Sequence, residues 1–299
     1  MKLKKRPCPV CDSDEEKSIF AESNFDINSL NSFSFASRKK PEYMHYRLVI
    51  CNVCDLLYAT PVPDSKWLHD SYAGAQYDSQ EEAQFASRTY SRQLLKFLHE
   101  LPDLKGALDI GCGDGAFLER LLELGFSDVS GVEPSNAPYQ SARPEIMKMI
   151  ELNVFSAERY KGRKFSLITC FQTMEHVDEP KTLCAKSYEL LKEGGVFFLV
   201  LHNYRSLSAK ILGKKSPIFD IEHLQLFSIN SIKYLLNEIG FKNITVYPIF
   251  NNYTLKYWLK ILPLGNEFKN GVLKITDSIA ISHWPISIPA GNLVAIGHK

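Results

Sequence analysis

The 299-residue sequence contains no run of the roughly 20 uninterrupted apolar residues that a helix needs to cross a bilayer. The basic N-terminus is followed by Pro7, Cys8 and Pro9, where a signal peptide would carry an apolar segment. The formal net charge is only +1, so the chain lacks the basic excess that is typical of nucleic-acid-binding proteins. These absences predict a cytoplasmic protein without a transmembrane segment, for which nucleic acid is not the expected partner.

Cysteine is scarce, with seven residues in the chain, and nothing in their spacing indicates a disulfide framework. Four of them form two CxxC pairs, Cys8 with Cys11 and Cys51 with Cys54. Each pair can place two thiolates on one tetrahedral zinc ion, whereas a pair of redox motifs is the alternative interpretation. Predicted strands beside the second pair favour metal, and we expect a structural zinc ribbon over residues 1–62.

Three glycines are concentrated at one turn. Gly111, Gly113 and Gly115 follow the apolar segment 107–110 and precede a predicted helix that begins at Ala116. Glycine accepts positive φ and has no Cβ, so it lets the backbone approach a ligand, and the following helix presents its amides to polar ligand groups. The pattern therefore predicts a nucleotide-type site, with an ordinary strand-turn-helix corner as the alternative.

Two acids indicate which nucleotide. Glu133 closes the next apolar run, where an acid at a strand end can accept hydrogen bonds from both ribose hydroxyls. Asp109 stands just before the glycines, where a carboxylate would repel a pyrophosphate but could accept a hydrogen bond from an ammonium group. Ala116 also occupies the last position of the dinucleotide fingerprint. We therefore expect an adenosine-like ligand with a cationic end rather than NAD.

These residues resemble motif I and the ribose-binding acidic loop of class I S-adenosylmethionine-dependent methyltransferases. Strands and helices alternate from about residue 80 to the C-terminus, as in that family, and alternation of this kind gives a parallel sheet. With its cysteine pairs, the chain resembles zinc-ribbon methyltransferases associated with bacterial sugars and polysaccharides. The resemblance implies an α/β fold with a Rossmann-like, seven-stranded, mostly parallel sheet and helices on both faces, preceded by a small zinc ribbon.

The same resemblance divides the rest of the chain. Residues 63–105 would form a helical linker that covers the cofactor. Residues 106–299 would form the S-adenosylmethionine-binding domain, with a lid insertion at about 251–289. The aromatic and basic stretch 253–262 could also be an interfacial helix, so peripheral membrane contact is the alternative to a substrate lid.

The resemblance also implies the cofactor site. Asn153 stands where the family has an acid that accepts a hydrogen bond from the adenine amino group, and an asparagine carbonyl can accept the same bond. Gln172 follows the fourth predicted strand, where the family lines the methionine end of the cofactor. The implied cofactor-binding residues are Asp109, Gly111, Gly113, Gly115, Glu133, Asn153 and Gln172.

Two histidines are candidate general bases. His176 follows the fourth predicted strand, and His223 lies just before a helix that Ser228 would cap. The segment 222–224 resembles the Glu-His stretch of nucleotide-sugar C-methyltransferases, in which the histidine is the base, although similar sequence occurs in O-methyltransferases. The catalytic candidates are therefore His223, His176 and Glu222, and the sequence leaves open which histidine accepts the proton.

The sequence therefore predicts an S-adenosylmethionine-dependent methyltransferase that acts on an oxygen or carbon of a small molecule or saccharide precursor. An rRNA methyltransferase that reads RNA through its ribbon is the alternative enzyme, and the near-neutral charge counts against it. A non-catalytic cofactor-binding protein is the alternative of another class. The intact Asp109, glycine turn and Glu133 count against that interpretation.

Overall fold

The computed structural model describes residues 3–14, 16–26, 30, 34–35, 42–73 and 80–299. The N-terminal part consists of short strands and two helices. They are β1 (Leu3–Lys4), β2 (Glu16–Ala21), β3 (Leu48–Cys51), β4 (Leu57–Ala59), β5 (Val62–Pro63), α1 (Ser65–Ala73) and α2 (Gln80–Leu94). Strands β2, β3 and β4 pair in antiparallel fashion, and β1 pairs with β5.

Strands and helices alternate through the middle of the chain. They are β6 (Lys105–Ile110), α3 (Ala116–Glu123), β7 (Ser127–Glu133), α4 (Asn136–Ser141), α5 (Pro144–Met147), β8 (Ile150–Leu152), β9 (Phe165–Phe171), α6 (Pro180–Leu190) and β10 (Leu191–His202). Residues 196–201 of β10 are all buried, because both faces of this strand are covered. Phe197 packs in one apolar cluster with Leu183 of α6, whereas Phe198 packs in a second cluster with Phe117 of α3.

The C-terminal part adds the last strands of the sheet. Its elements are α7 (Leu207–Leu212), β11 (Gln225–Leu226), α8 (Ile229–Ile239), β12 (Lys242–Thr254), α9 (Leu255–Ile261), α10 (Asn266–Ser278) and β13 (Pro285–His298). Helix α8 begins where Ser228 and Ser231 cap each other's backbone amides, and it ends at Gly240, which has a φ of +102°.

The central sheet has seven strands in the order β12-β13-β10-β9-β6-β7-β8. Strands β6 to β10 pair in parallel, and β13 runs antiparallel to both of its neighbours. This arrangement confirms the predicted Rossmann-like, mostly parallel sheet with helices on both faces. The strand order reverses beside β6, which lies between β7 and β9, and ligands of such sheets bind at the carboxyl ends of the strands next to that reversal.

The last two strands extend further than the sequence indicated. Pairing between β12 and β13 continues to Thr254 opposite Pro285, so part of the predicted insertion is strand. Helices α9 and α10 lie between these paired ends. Strand β13 pairs with β10 as far as Asn292, which lies opposite His202. Its pairing with β12 continues beyond that point, and this makes both strands longer. No helix in the described part of the chain is both long enough and apolar enough to span a bilayer.

The N-terminal sheet is completed from the C-terminal half of the chain. The two-residue strand β11 pairs with β4, with Gln225 opposite Tyr58, so the sheet has the order β11-β4-β3-β2. The amide of Ala59 also donates to the carbonyl of Leu224 at 2.8 Å. The predicted boundary at residue 62 therefore separates two parts that share a sheet.

Candidate functional site

A cavity of about 780 Å³ opens at the carboxyl ends of β6, β7, β9 and β10. Helix α2 contributes Ala83, Ala86, Ser87 and Tyr90 to its wall. Further walls come from residues 154–158, from residues 216–223 and from α9. The cavity therefore lies where the strand order reverses, and it is continuous from the glycine turn to the predicted histidines.

The glycine turn after β6 borders this cavity. Gly111 and Gly113 have φ angles of +74° and +57°, which favour glycine. A Cβ on Gly111 would lie 2.2 Å from the Oγ1 atom of Thr173, so the turn packs closely against the segment after β9. A Cβ on Gly113 would meet no atom within 4 Å, because this residue faces the open cavity. The turn thus leaves space for a ligand at Gly113, as a cofactor cradle requires.

Asp109 and Glu133 are buried at the ends of β6 and β7 and line the cavity. The Thr169 hydroxyl donates to Asp109 at 2.6 Å, and burial raises the pKa of this carboxyl to about 7. The carboxylate of Glu133 accepts the amides of Gly113 and Ser135, both at 2.9 Å. Burial also raises the pKa of Glu133. A carboxylate offers about four acceptor positions, so Glu133 can hold the glycine turn and still accept from ligand hydroxyls.

The charges around the cavity favour a cationic ligand. The described residues that line it include eight carboxylic acids but a single lysine, Lys186, and no arginine. The acids are Asp109, Asp114, Glu133, Glu158, Asp178, Glu179, Asp220 and Glu222. Such a wall repels a pyrophosphate and attracts ammonium and sulfonium groups. The donor set therefore fits S-adenosylmethionine better than NAD.

The other two predicted cofactor residues are Gln172, which lines the cavity, and Asn153, which precedes a lining segment. Gln172 lines the cavity with a φ of +49°, and its side chain accepts from the Tyr90 hydroxyl at 3.1 Å. Asn153 precedes the lining segment 154–158, and its side-chain oxygen accepts the amide of Val154 at 3.0 Å. An adenine contact through Asn153 therefore stays a prediction. Tyr90 could not be predicted as a cavity residue, because a tyrosine on an amphipathic helix is indistinguishable in sequence from a core residue.

Three histidines that line the cavity lie close together. The ring centres of His176 and His202 lie 4.9 and 5.1 Å from that of His223. Nδ1 of His176 donates to the carbonyl of Glu222 at 3.0 Å, and Nδ1 of His223 donates to the carbonyl of Ile218 at 2.7 Å. A carbonyl can only accept, so Nδ1 carries the proton in both neutral rings and Nε2 carries the lone pair.

The structure thus brings together all three predicted catalytic residues. An oxygen of the Glu222 carboxylate lies 3.9 Å from Nε2 of His223, close enough to stabilise a protonated ring. His202 adds a third ring, with Nδ1 donating to the Asn292 side chain at 3.0 Å. His202 is the last residue of β10.

An aromatic wall lines the same cavity. Helix α9 and the adjoining strand end contribute Tyr253, Tyr257 and Trp258, whose ring centres lie between 4.5 and 5.8 Å apart. The indole of Trp258 donates to the carbonyl of Ile286 at 2.9 Å, which joins α9 to β13. The segment predicted as a lid therefore supplies an aromatic surface to the cavity that the candidate bases also line.

The four cysteines of the two CxxC pairs converge in the N-terminal part. All sulfur atoms of Cys8, Cys11, Cys51 and Cys54 lie within 4.8 Å of one another. The closest pairs are Cys11 with Cys51 at 3.4 Å and Cys8 with Cys54 at 3.5 Å, far longer than a disulfide bond of about 2.05 Å. A hydrogen bond from Cys54 lowers the pKa of the Cys8 thiol. Four sulfur ligands at these distances fit one tetrahedral zinc ion.

Comparison with known proteins identifies the family of the domain that contains the cavity. The family described as "Methyltransferase domain" matches residues 80–246. A "Ubiquinone biosynthesis O-methyltransferase" from Pasteurella multocida is 35% identical over 120 residues, which cover 35% of this chain and 49% of the relative. Another protein of that name, from Pseudomonas aeruginosa strain LESB58, is 32% identical over 189 residues, which cover 61% of this chain and 70% of the relative. The chain spans about half the length of the Pasteurella multocida and Thiobacillus denitrificans relatives.

Among solved structures, a "SAM dependent methyltransferase" from Archaeoglobus fulgidus superposes with a TM-score of 0.47 and 18% identity, covering 79% of this chain and all of that one. The family match spans more than half of the chain, and it includes the glycine turn, both buried acids and the histidine segments. The chain therefore belongs to the methyltransferase domain family.

Proposed function

We propose that this protein transfers a methyl group from S-adenosylmethionine to a hydroxyl oxygen of a small acceptor with an apolar body. The observation that carries the proposal is the continuous cavity that joins the glycine turn and two buried acids to a pair of histidines with Nδ1-fixed rings. The relatives named as O-methyltransferases support the choice of oxygen.

Asp109, Glu133 and the glycine turn would hold the cofactor. When bound, the sulfonium of S-adenosylmethionine supplies an electrophilic methyl group. Asp109 would accept from the ammonium group, and the spare acceptor positions of Glu133 would take the ribose hydroxyls. The turn from Gly111 to Gly115 would fix the cofactor's depth in the cavity, and alignment with the acceptor supplies a large share of the rate.

The histidines would deprotonate the acceptor. Nε2 of His223 or of His176 carries the lone pair, so either ring can take the hydroxyl proton as the oxygen attacks. The Glu222 carboxylate, 3.9 Å from Nε2 of His223, would stabilise the resulting imidazolium, which favours His223 as the base. An imidazole lone pair suits an acidic hydroxyl, and the Tyr253, Tyr257 and Trp258 wall suits an apolar ring. A phenol fits both features.

We propose zinc for the Cys8, Cys11, Cys51 and Cys54 cluster, where the metal would hold the N-terminal sheet together. An RNA acceptor is disfavoured, because the acids around the cavity repel a phosphate backbone. Saccharide precursors share hydroxyl chemistry with phenols, so they form a separate arm of the test.

The test uses purified protein, labelled S-adenosylmethionine and three acceptor panels: phenols and catechols with alkyl chains of increasing length, sugars with sugar nucleotides, and rRNA fragments. We expect transfer to a phenol that improves with chain length. Transfer confined to sugars or RNA would reject the proposed acceptor class, and cofactor binding without transfer to any panel would favour a non-catalytic role.

His223→Gln should lower turnover by about 10²- to 10⁴-fold and leave affinity for S-adenosylhomocysteine within about twofold, because the ring lies on the acceptor side. His298→Gln is the matched control, since His298 contacts Glu100 and is not among the cavity-lining residues described. If His176→Gln abolishes turnover while His223→Gln does not, His176 is the base.

A further inference from the structure

Two segments carry the candidate bases, and their backbones are joined. His176 lies in the segment after β9, and His223 lies just before β11. The amide of Leu224 donates to the carbonyl of Glu175 at 2.8 Å. The ring of His176 reaches the carbonyl of Glu222 in the other segment, so each segment fixes part of the other's geometry.

Gln225 ties these segments together from behind. Its side chain is fully buried, and its Nε2 atom donates to the carbonyls of Met174 and Val177, both at 2.6 Å. These carbonyls lie on either side of His176. The side chain of Gln225 thus uses both of its donor hydrogens to hold the backbone that presents one candidate base.

Arg6, from the N-terminal part, closes the arrangement. Its Nη2 atom donates to the carbonyl of Leu224 at 2.8 Å and to Oε1 of Gln225 at 3.0 Å. Nη1 donates to the carbonyl of Asp178 at 3.2 Å, and Nε donates to the carbonyl of Ala59 at 3.0 Å. One guanidinium therefore joins β4 to both histidine segments, which its planar fork of five N–H donors allows and a lysine could not reproduce.

We propose that Arg6 and Gln225 are positioning residues, which join the two histidine segments from outside the cavity through hydrogen bonds to the backbone of both, and thereby hold His176 in the Nδ1-protonated form beside His223. Neither side chain is among the described residues that line the cavity, so neither would touch cofactor or acceptor. The proposal rests on the proposed function in that the histidines are the candidate bases.

The physical consequence is a change of tautomer. Nδ1 of each ring keeps its proton because a backbone carbonyl lies 2.7 to 3.0 Å away. If the segments move apart, the hydrogen bond from His176 to the carbonyl of Glu222 lengthens, and the proton is no longer held on Nδ1 of that ring. The bond from His223 to Ile218 lies within one segment and is kept. A ring protonated on Nε2 presents a donor instead of a lone pair to the cavity, and it cannot accept the acceptor's proton.

The test reads the rings directly and needs no acceptor. Protein labelled with ¹⁵N-histidine is prepared as wild type, Arg6→Met, Arg6→Lys and Gln225→Leu, and the His176→Gln and His223→Gln variants assign the two rings among the eight histidines. Arg47→Met is the matched control, because Arg47 lies in the same N-terminal part and donates to Thr60 rather than to a histidine segment.

In the wild type we expect both rings to give Nδ1-protonated nitrogen shifts. Arg6→Met and Gln225→Leu should mix the tautomers of His176, whose Nδ1 partner lies in the other segment, and leave His223 Nδ1-protonated, because its partner Ile218 lies in its own segment. Both variants should leave the other histidines unchanged and reduce hydrogen-exchange protection of residues 218–228 by about tenfold, as loss of a charge-assisted hydrogen bond predicts. Arg47→Met should resemble the wild type. Once an acceptor is known, kcat should fall in Arg6→Met with the KM for S-adenosylmethionine unchanged.

Unaltered histidine shifts and exchange in Arg6→Met would overturn the proposal, as would an equal change in Arg47→Met. If Arg6→Met does not fold, Arg6→Lys and Gln225→Leu decide by the same criteria. A changed tautomer in Arg6→Met together with full turnover in both histidine variants would keep the positioning role and reject the histidines as bases, so the two proposals fail separately.

Discussion

Affinity for S-adenosylhomocysteine should depend on pH through Asp109. This carboxyl is buried at the end of β6, and burial raises its pKa to about 7. Only the ionised form attracts the ligand's ammonium group, so binding must remove a proton from every molecule in which Asp109 is protonated. The raised pKa therefore makes affinity increase as the pH rises through 7, and the increase ends once Asp109 is fully ionised.

The expected size follows from the ionised fraction. With a pKa of about 7, Asp109 is about one-tenth ionised at pH 6 and about nine-tenths ionised at pH 8. Affinity should therefore rise about tenfold between these two values. Asp109→Asn keeps an oxygen that can accept from the Thr169 hydroxyl, so the variant should fold, bind S-adenosylhomocysteine more weakly and show no such rise.

Isothermal titration calorimetry in buffers of different ionisation enthalpy measures both quantities, the affinity and the protons released. We expect about half a proton to be released per ligand at pH 7 in the wild type and close to none in Asp109→Asn. Equal wild-type affinity at pH 6 and pH 8 would refute the reasoning. The same slope in Asp109→Asn would assign the titration to another group, including the ligand itself.

Three further predictions concern the turn, the ribose acid and the cysteine cluster. Both glycines have positive φ, so each alanine variant should lose some stability. Gly111→Ala should lower the melting temperature more, because its Cβ would also lie 2.2 Å from the Oγ1 atom of Thr173, whereas the Cβ of Gly113→Ala enters the open cavity and should weaken S-adenosylhomocysteine binding in calorimetry. The reverse pattern would contradict this account. Glu133→Gln presents an NH₂ group to one of the two backbone amides that the carboxylate accepts, and it should weaken S-adenosylhomocysteine binding by about 1 to 3 kcal/mol. Unchanged affinity would exclude Glu133 from the site. Elemental analysis should find one zinc per chain, lost in Cys51→Ser and kept in Cys184→Ser, whereas metal-free wild-type protein would exclude the zinc site.

The sequence predicted those parts of the molecule in which a local pattern determines the structure. The turn from Gly111 to Gly115 has a strand before it and a helix after it, and β9 ends at Phe171 as its apolar run indicated. Strand β11 escaped prediction, because two residues show no periodicity and pair only through contact with β4. The roles of Tyr90 and Gln225 were missed for a similar reason, since their partners lie more than 45 residues away in the chain.

The shared sheet of β11 and β4 has a consequence for how the protein is made. Arg6 and Gln225 are separated by 219 residues, so the N-terminal sheet gains its fourth strand only after most of the chain has left the ribosome. The four cysteines of the cluster, in contrast, are all present once residue 54 has been synthesised. During synthesis the growing chain therefore exposes the unpaired edge of β4, and a metal ion bound early would keep that edge in register until its partner strand arrives.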